Sequence, residues 1–168
     1  MTAPTLTTAR LNLVPHHPEH LDALAAMWAH PAVYGMIGGV ARPREEVWIR
    51  LLRSIGQWQA FAYGSWVVRE RDGRVVGELG LMEAQRAIAP PLAVPEMGWT
   101  LAPEAHGRGY AQEALVAVLD WAAAQGIART TCIIDPDNAP SLKLAAKLGY
   151  AVVREAAYKD RPILVLER

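Results

Sequence analysis

Residues 96–114, EMGWTLAPEAHGRGYAQEA, restrict the fold of this chain more than any other stretch. From Glu96 to Leu101 apolar and other residues alternate. Met97, Trp99 and Leu101 fall on one face and Glu96, Gly98 and Thr100 on the other, which predicts a strand. After Pro103, the turn Gly107-Arg108-Gly109 leads at Tyr110 into a helix expected over residues 110–124 and closed by Gly126. Ala111, Leu115, Val118, Leu119 and Ala122 form one apolar stripe of that helix, while Val116 and Trp121 lie elsewhere. A helix apolar on most sides is buried in a layered structure. A strand running through a glycine turn into a buried helix requires a sheet with helices on it.

The flanking sequence fills out that architecture. A short strand around Leu11 and Leu13 stops at Pro15. Pro18 opens a helix whose Leu21, Leu24, Ala25 and Trp28 share a face, and Pro31 lies just beyond it. Residues 33–41, with Gly35, Gly38 and Gly39, read as a mobile connection. A second helix is expected from Pro43 to Trp58, burying Val47, Leu51, Leu52 and Ile55. Strands at 65–69 and 75–81 flank the hairpin turn Arg71-Asp72-Gly73-Arg74. A loop at 84–93 carries Pro90 and Pro91. Residues 130–134 form a nearly continuous apolar strand of the kind found inside a sheet. A helix over 139–148 ending at Gly149, then strands at 151–157 and 163–166, complete the chain. The expected class is α/β (α+β): a mixed, largely antiparallel sheet flanked by helices. No repeat or linker divides the sequence, so residues 1–168 form one domain.

Composition excludes several functions. Seventeen Lys+Arg balance seventeen Asp+Glu in 168 residues. A neutral chain lacks the electrostatic footprint of a nucleic-acid or membrane-surface protein. The single cysteine, Cys132, leaves no internal disulfide and fits a reducing compartment. Apolar runs are broken well short of the ~20 residues that cross a bilayer. The first ten residues have no apolar signal core. The expectation is a soluble cytoplasmic protein.

The glycine turn suggests an anion site. Glycine allows close backbone approach, and the free N–H groups and dipole of a helix start favour a phosphate. Arg108 could add a charge-assisted contact. A lone G-x-G also serves as a plain strand-to-helix turn. A Walker loop is absent, and the dinucleotide fingerprint fails because residue 112 is Gln. Taken with DPDNAPSLKLAAKLGY at 135–150, however, EMGWTLAPEAHGRGYAQEAL resembles the GNAT superfamily of acyl-CoA N-acyltransferases. The resemblance is strongest to the branch of ribosomal-protein N-terminal acetyltransferases, and TTARLNLVP and GRVVGELGL match that branch too.

The resemblance implies an enzyme that moves an acetyl group from acetyl-CoA to a primary amine, on a small molecule or a protein N-terminus, by direct transfer in a ternary complex. It implies a strand pair that splays to admit acyl-CoA. The family's pyrophosphate loop, Gln/Arg-x-x-Gly-x-Gly/Ala, falls on His106, Gly109 and Ala111. The backbone of Gly107, Arg108, Gly109, Tyr110 and Ala111 would bind the diphosphate. His106 departs from the usual Gln or Arg, and a solvated loop histidine explains it equally. N–H groups near Trp99, Thr100 and Leu101 would pair with the pantetheine arm and the thioester oxygen. Glu96 stands where related enzymes often carry the acid that deprotonates the amine; the alternative is a carboxylate that orients substrate or pairs with an Arg. Asn138 would bind pantetheine, although an N-cap role accounts for it fully. Ser141 would protonate the leaving thiolate, since the tyrosine that many relatives carry four residues later is Ala145 here. Tyr150 reads as core.

Other candidates carry less chemistry. Cys132 reads as a buried inert thiol. His16, His17, His20 and His30 read as surface histidines without a metal pattern, and Glu113 as structural. Trp28, Trp48 and Trp58 could border an acceptor cleft. No metal is expected. A homodimer is compatible with the sequence, but no interface is legible. A non-catalytic CoA-binding or regulatory module is the alternative from another class.

Overall fold

The computed structural model describes residues 2–168. Eight strands form one sheet in the order β1-β2-β3-β4-β5-β6-β8-β7. They are β1 (Leu6–Thr7), β2 (Leu11–Val14), β3 (Ser65–Glu70), β4 (Val75–Met82), β5 (Glu96–Leu101), β6 (Thr131–Ile134), β7 (Ala151–Tyr158) and β8 (Arg161–Glu167). Five helices accompany them: α1 (Leu21–Trp28), α2 (Pro31–Tyr34), α3 (Arg44–Phe61), α4 (Tyr110–Ala124) and α5 (Ala139–Lys147). The mixed, largely antiparallel sheet is as expected, and β5 and α4 fall where the alternation and the glycine turn put them. Among the described residues the only parallel neighbours are β5 and β6.

Alternation along β3 sorts the two faces. Trp66 and Val68 join a core with Leu79, Leu81 and Met97 under Leu115 and Val118 of α4. Val67, pointing the other way, packs with Leu24 and Trp28 of α1 and Val47 and Leu51 of α3. Three tryptophans, Trp58, Trp66 and Trp121, meet edge to face with centroids 4.8–5.3 Å apart, a favoured aromatic geometry. Trp58 is therefore core rather than a cleft residue.

Several local expectations change. Helix α3 continues to Phe61 and closes at Ala62 in the left-handed region, whose N–H reaches Trp58 O. Leu52 is 45% exposed, because the 100° step after Leu51 turns it off the Val47–Leu51 face. Residues 33–41 are not all connection: Pro31–Tyr34 form one helical turn, with His30 Nδ1 accepting from Ala32 N–H as its cap. The two-residue β1 is too short to leave a period in the sequence.

The histidine expectation also fails in part. His16 and His20 are buried, at 6% and 5% exposure. His20 Nδ1 accepts from the His17 backbone N–H, and burial lowers the His20 pKa. Cys132 is buried in β6, and burial pushes its thiol up to about 12. Among the described residues no helix is long and apolar enough to cross a membrane.

Two measurements test this packing. Leu115→Ala, at a side chain with no exposure, is expected to cost about 2–5 kcal/mol in urea unfolding. Val116→Ala on the same helix, 43% exposed, should change stability by under about 0.5 kcal/mol. A disulfide-exchange reagent at pH 8 should leave Cys132 unmodified in the native protein and titrate one thiol in guanidinium; rapid native labelling would contradict its burial.

Candidate active site

Strands β5 and β6 meet at one position, Glu96 opposite Thr131, where Thr131 N–H donates to Pro95 O at 3.0 Å. Beyond it they part, while β6 stays paired with β8 over four residues. Backbone direction alternates along an antiparallel strand. Ala102 N–H donates to Val76 O at 2.9 Å, so Ala102, Thr100 and Gly98 address β4. Trp99 and Leu101 then address the gap. The expected backbone site thus divides: Trp99 and Leu101 present their N–H groups to it, and Thr100, buried at 8% exposure, does not.

At the open end of the gap the chain turns into α4. Gly107 and Gly109 have φ of +71° and +77°, left-handed values that glycine adopts without strain. A Cβ at Gly107 would meet nothing within 4 Å, and one at Gly109 only Arg10 Nη2 at 3.4 Å. Gly109 caps α4 without a side-chain hydrogen bond, leaving the first N–H groups free. Arg108 is turned away from this cradle. Its Nη1 lies 2.9 Å from Glu70 Oε1, and its guanidinium sits 4.4 Å from the Tyr110 ring centroid. Tyr110 is buried and donates its hydroxyl to the same Glu70. Ala111 follows in the first turn of α4. His106 Nε2 donates to Leu101 O at 2.9 Å, tying the loop to β5. Glu113 is structural, as expected: it accepts from Thr8 Oγ1 and from Arg10 N and Nε.

Across the gap stands the start of α5. Asn138 caps it through Oδ1, which accepts from Ser141 N–H at 3.2 Å. Trp99 Nε1 donates to Ser141 Oγ at 3.3 Å, joining β5 to α5. With a lone pair of Oγ engaged, the Ser141 proton is free to be donated elsewhere. Sequence reading missed this contact, which links residues 42 apart. Tyr150 is core: it is 4% exposed and its hydroxyl lies 2.6 Å from Thr130 Oγ1, with burial holding its pKa up to about 12.

Glu96 takes the second of its two expected roles. Arg86 holds it in a bidentate ion pair, Nε–Oε2 2.6 Å and Nη2–Oε1 2.8 Å. The carboxylate is buried at 4% exposure at the zipped end of the gap, beside the loop carrying Arg86 and Leu92. A proton acceptor needs access to the reacting amine, and this carboxylate is committed and covered.

A different carboxylate faces the α1/α3 side. Glu78 of β4 stands opposite Thr100, accepting from Trp28 Nε1 at 2.8 Å, with His16 Nε2 at 3.0 Å. Burial alone would raise its pKa, but the His16 and Trp28 hydrogen bonds and the Arg50 charge outweigh that and lower it. Sequence reading missed Glu78, though a charge inside the apolar run VVGELGL was a usable signal. Among the described residues no cluster of metal-ligating side chains occurs.

The Arg86–Glu96 pair is testable by stability. Arg86→Ala strands a buried carboxylate and should cost about 3–5 kcal/mol. Arg129→Ala, which breaks the exposed pair with Glu167, should cost under about 1 kcal/mol. Equal unfolding midpoints for the two variants would show that the Glu96 pair is not buried.

Comparison with known proteins agrees with this geometry. Residues 10–151 match the family model described as the acetyltransferase (GNAT) domain. The uncharacterised YkkB protein of Bacillus subtilis (strain 168) is 30% identical over 112 residues, 66% of this chain and 63% of that protein, so the match spans less than two thirds of the relative. A Bordetella pertussis structure assigned to the GNAT acetyltransferases superposes with a TM-score of 0.87 at 31% identity, covering 99% of both chains. Ribosomal-protein-S5-alanine acetyltransferase from Vibrio fischeri has the same fold, with a TM-score of 0.78 at 18% identity over 99% of this chain and 96% of that one. With its sheet parting at β5 and a family match running from β2 into β7, the chain belongs to the GNAT acetyltransferase domain family.

Proposed function

We propose that the protein is an N-acetyltransferase that moves an acetyl group from acetyl-CoA to a primary amine by direct transfer. The observation that carries this reading is the gap itself. Two strand residues, Trp99 and Leu101, turn their N–H groups toward it, and the N-termini of α4 and α5 flank it. Unpaired backbone inside a sheet calls for a polar occupant, and an uncapped helix start with open glycines suits a diphosphate. The residues present fit acetyl-CoA: the backbone of residues 107–111 for the diphosphate, Trp99 and Leu101 for the pantetheine arm, and Asn138 through its unused NH2 group. Bound there, acetyl-CoA would supply an activated acetyl group.

The chain's own groups then have defined tasks. Trp99 N–H is a preorganised donor for the thioester oxygen as negative charge develops on it. The N–C bond forms as the C–S bond breaks; the amine passes its proton to solvent water, and the sulfur gains one from Ser141, which solvent water reprotonates. Ser141 Oγ–H is the proton source on the sulfur side, held in place by Trp99 Nε1. The single buried thiol and balanced charge fit a cytoplasmic setting. The acceptor class includes small-molecule amines and, by analogy with the Vibrio fischeri structure, protein N-termini.

One observation favours a non-catalytic CoA-binding module: the expected base, Glu96, is locked to Arg86. Thiol release from acetyl-CoA separates the readings. Release that depends on added amine supports the enzyme, and tight CoA binding without release over a broad amine panel supports the module. Ser141→Ala is expected to lower kcat by about 10²-fold while leaving the KM for acetyl-CoA within about twofold. Unchanged kcat removes Ser141 from the mechanism.

A further inference from the structure

One face of β5 is covered by core, which leaves the α1/α3 face as the side for an acceptor site. On one face, the Trp99 indole, hydrogen-bonded to Ser141, and the core beneath α4 and α5 cover β5. On the other, β4 and β5 present Glu78, Met82, Gly98 and Thr100 toward α1 and α3. Glu78 lies directly across from Thr100, between the two residues whose N–H groups address the gap. Its side chain is 15% exposed.

Glu78 does not stand alone. The Trp28 indole carries it at the N–H edge and carries Arg50 over its face, with the Arg50 guanidinium carbon 4.4 Å from the ring centroid. Arg42 approaches the same ring at 5.9 Å and is already paired with Glu46. Arg50 is half-buried, and burial lowers its pKa. Its Nε is buried without a partner, and among the described residues the guanidinium makes no hydrogen bond or ion pair, with Glu78 or any other group. A buried Nε without a partner is unfavourable, and the terminal NH2 groups of the half-buried guanidinium are paired with no protein group. A carboxylate pairs with a guanidinium bidentately.

The geometry points to an acceptor site at Glu78 and Arg50, bridged by the buried Trp28 indole, that takes a compact zwitterion: a primary amine with a carboxylate a few bonds away, its ammonium on Glu78 and its acid group on Arg50. His16 buttresses Glu78 from behind, its side chain fully buried. Charges facing the site are Glu78 from β4, His16 before α1, and Arg50 with the more distant Glu46, Arg42 and Arg53 from α3 and the loop before it. A polyamine would place a second cation against Arg50 and be disfavoured. This assignment deepens the acetyltransferase reading and rests on it for the direction of the acceptor.

The test is calorimetric titration of the CoA-saturated protein with the L-amino acids, each compared with its amide and its decarboxylated amine, and with spermidine. At least one amino acid should bind about tenfold or more tighter than its own amide. Arg50→Gln should abolish that preference. Arg50→Lys keeps the charge and the stem and should retain part of it, which guards against a folding defect in the first variant. Equal binding of acids and amides, tighter binding of spermidine, no binding by any amino acid, or a preference untouched in a folded Arg50→Gln protein would overturn the proposal. Thiol release with the same panel separates the two levels. Acid-selective binding without release leaves the site standing and removes the acetyltransferase reading; release without acid selectivity does the reverse.

Discussion

Strand β5 is held at one end and released at the other, and the features around the gap depend on that. At the held end, Thr131 N–H reaches Pro95 O and Arg86 clamps Glu96. Strand β6 follows β8 over its whole length while leaving β5 after one position. The unpaired backbone in the middle of a sheet would be unfavourable in a dry interior. It persists because the gap is open, with polar groups at its rim: the Leu101 carbonyl satisfied by His106, Ser141 by Trp99, and the bare N–H groups at the start of α4.

In the proposed acetyl-CoA site this arrangement would let an electrically neutral chain address a strongly anionic ligand. The one arginine in the glycine turn, Arg108, is spent on Glu70 and the Tyr110 ring. The positive end of the site is therefore made of backbone dipoles at two helix starts. Such a source adds nothing to net charge, so a balanced composition does not speak against a phosphate carrier. The Glu70 network has a structural part: with Arg10, Tyr110 and Glu113 it fastens the N-terminal turn and β3 to the helix whose first turn is the candidate phosphate site.

What could be read from the sequence follows the range of the interactions involved. Strand β5, the turn and α4 were legible because alternation, left-handed glycine and the 3.6-residue stripe are local signals, and Asn138 as an N-cap is equally local. The backbone edge that Thr100 presents was not legible: it depends on the register with β4, and side-chain alternation alone cannot say which edge faces a neighbour. The choice between the two roles open to Glu96 was not legible because Arg86, ten residues earlier, sits in a loop whose course no pattern predicts. His16 looked exposed because its partner, Glu78, is 62 residues away. In each failed case a polar group found its partner through tertiary structure.

In the proposed reading the gap edge of β5 and its α1/α3 face bind by different means, and the difference has a consequence for how such a protein can change. On the gap side the donors are main-chain N–H groups of Trp99 and Leu101 and of the first turn of α4, which almost any substitution preserves provided the glycine geometry survives. On the α1/α3 side the proposed recognition rests on side chains, Glu78 and Arg50 on the Trp28 indole, each removable by one substitution. Altering Arg50 would unbalance that site without touching β5 or the turn. Altering Gly107 or Gly109 would strain the carrier site whatever the acceptor. Carrier and acceptor recognition are thus separable at the level of single residues, and the parting of β5 from β6 is the shared element that brings them within reach of each other.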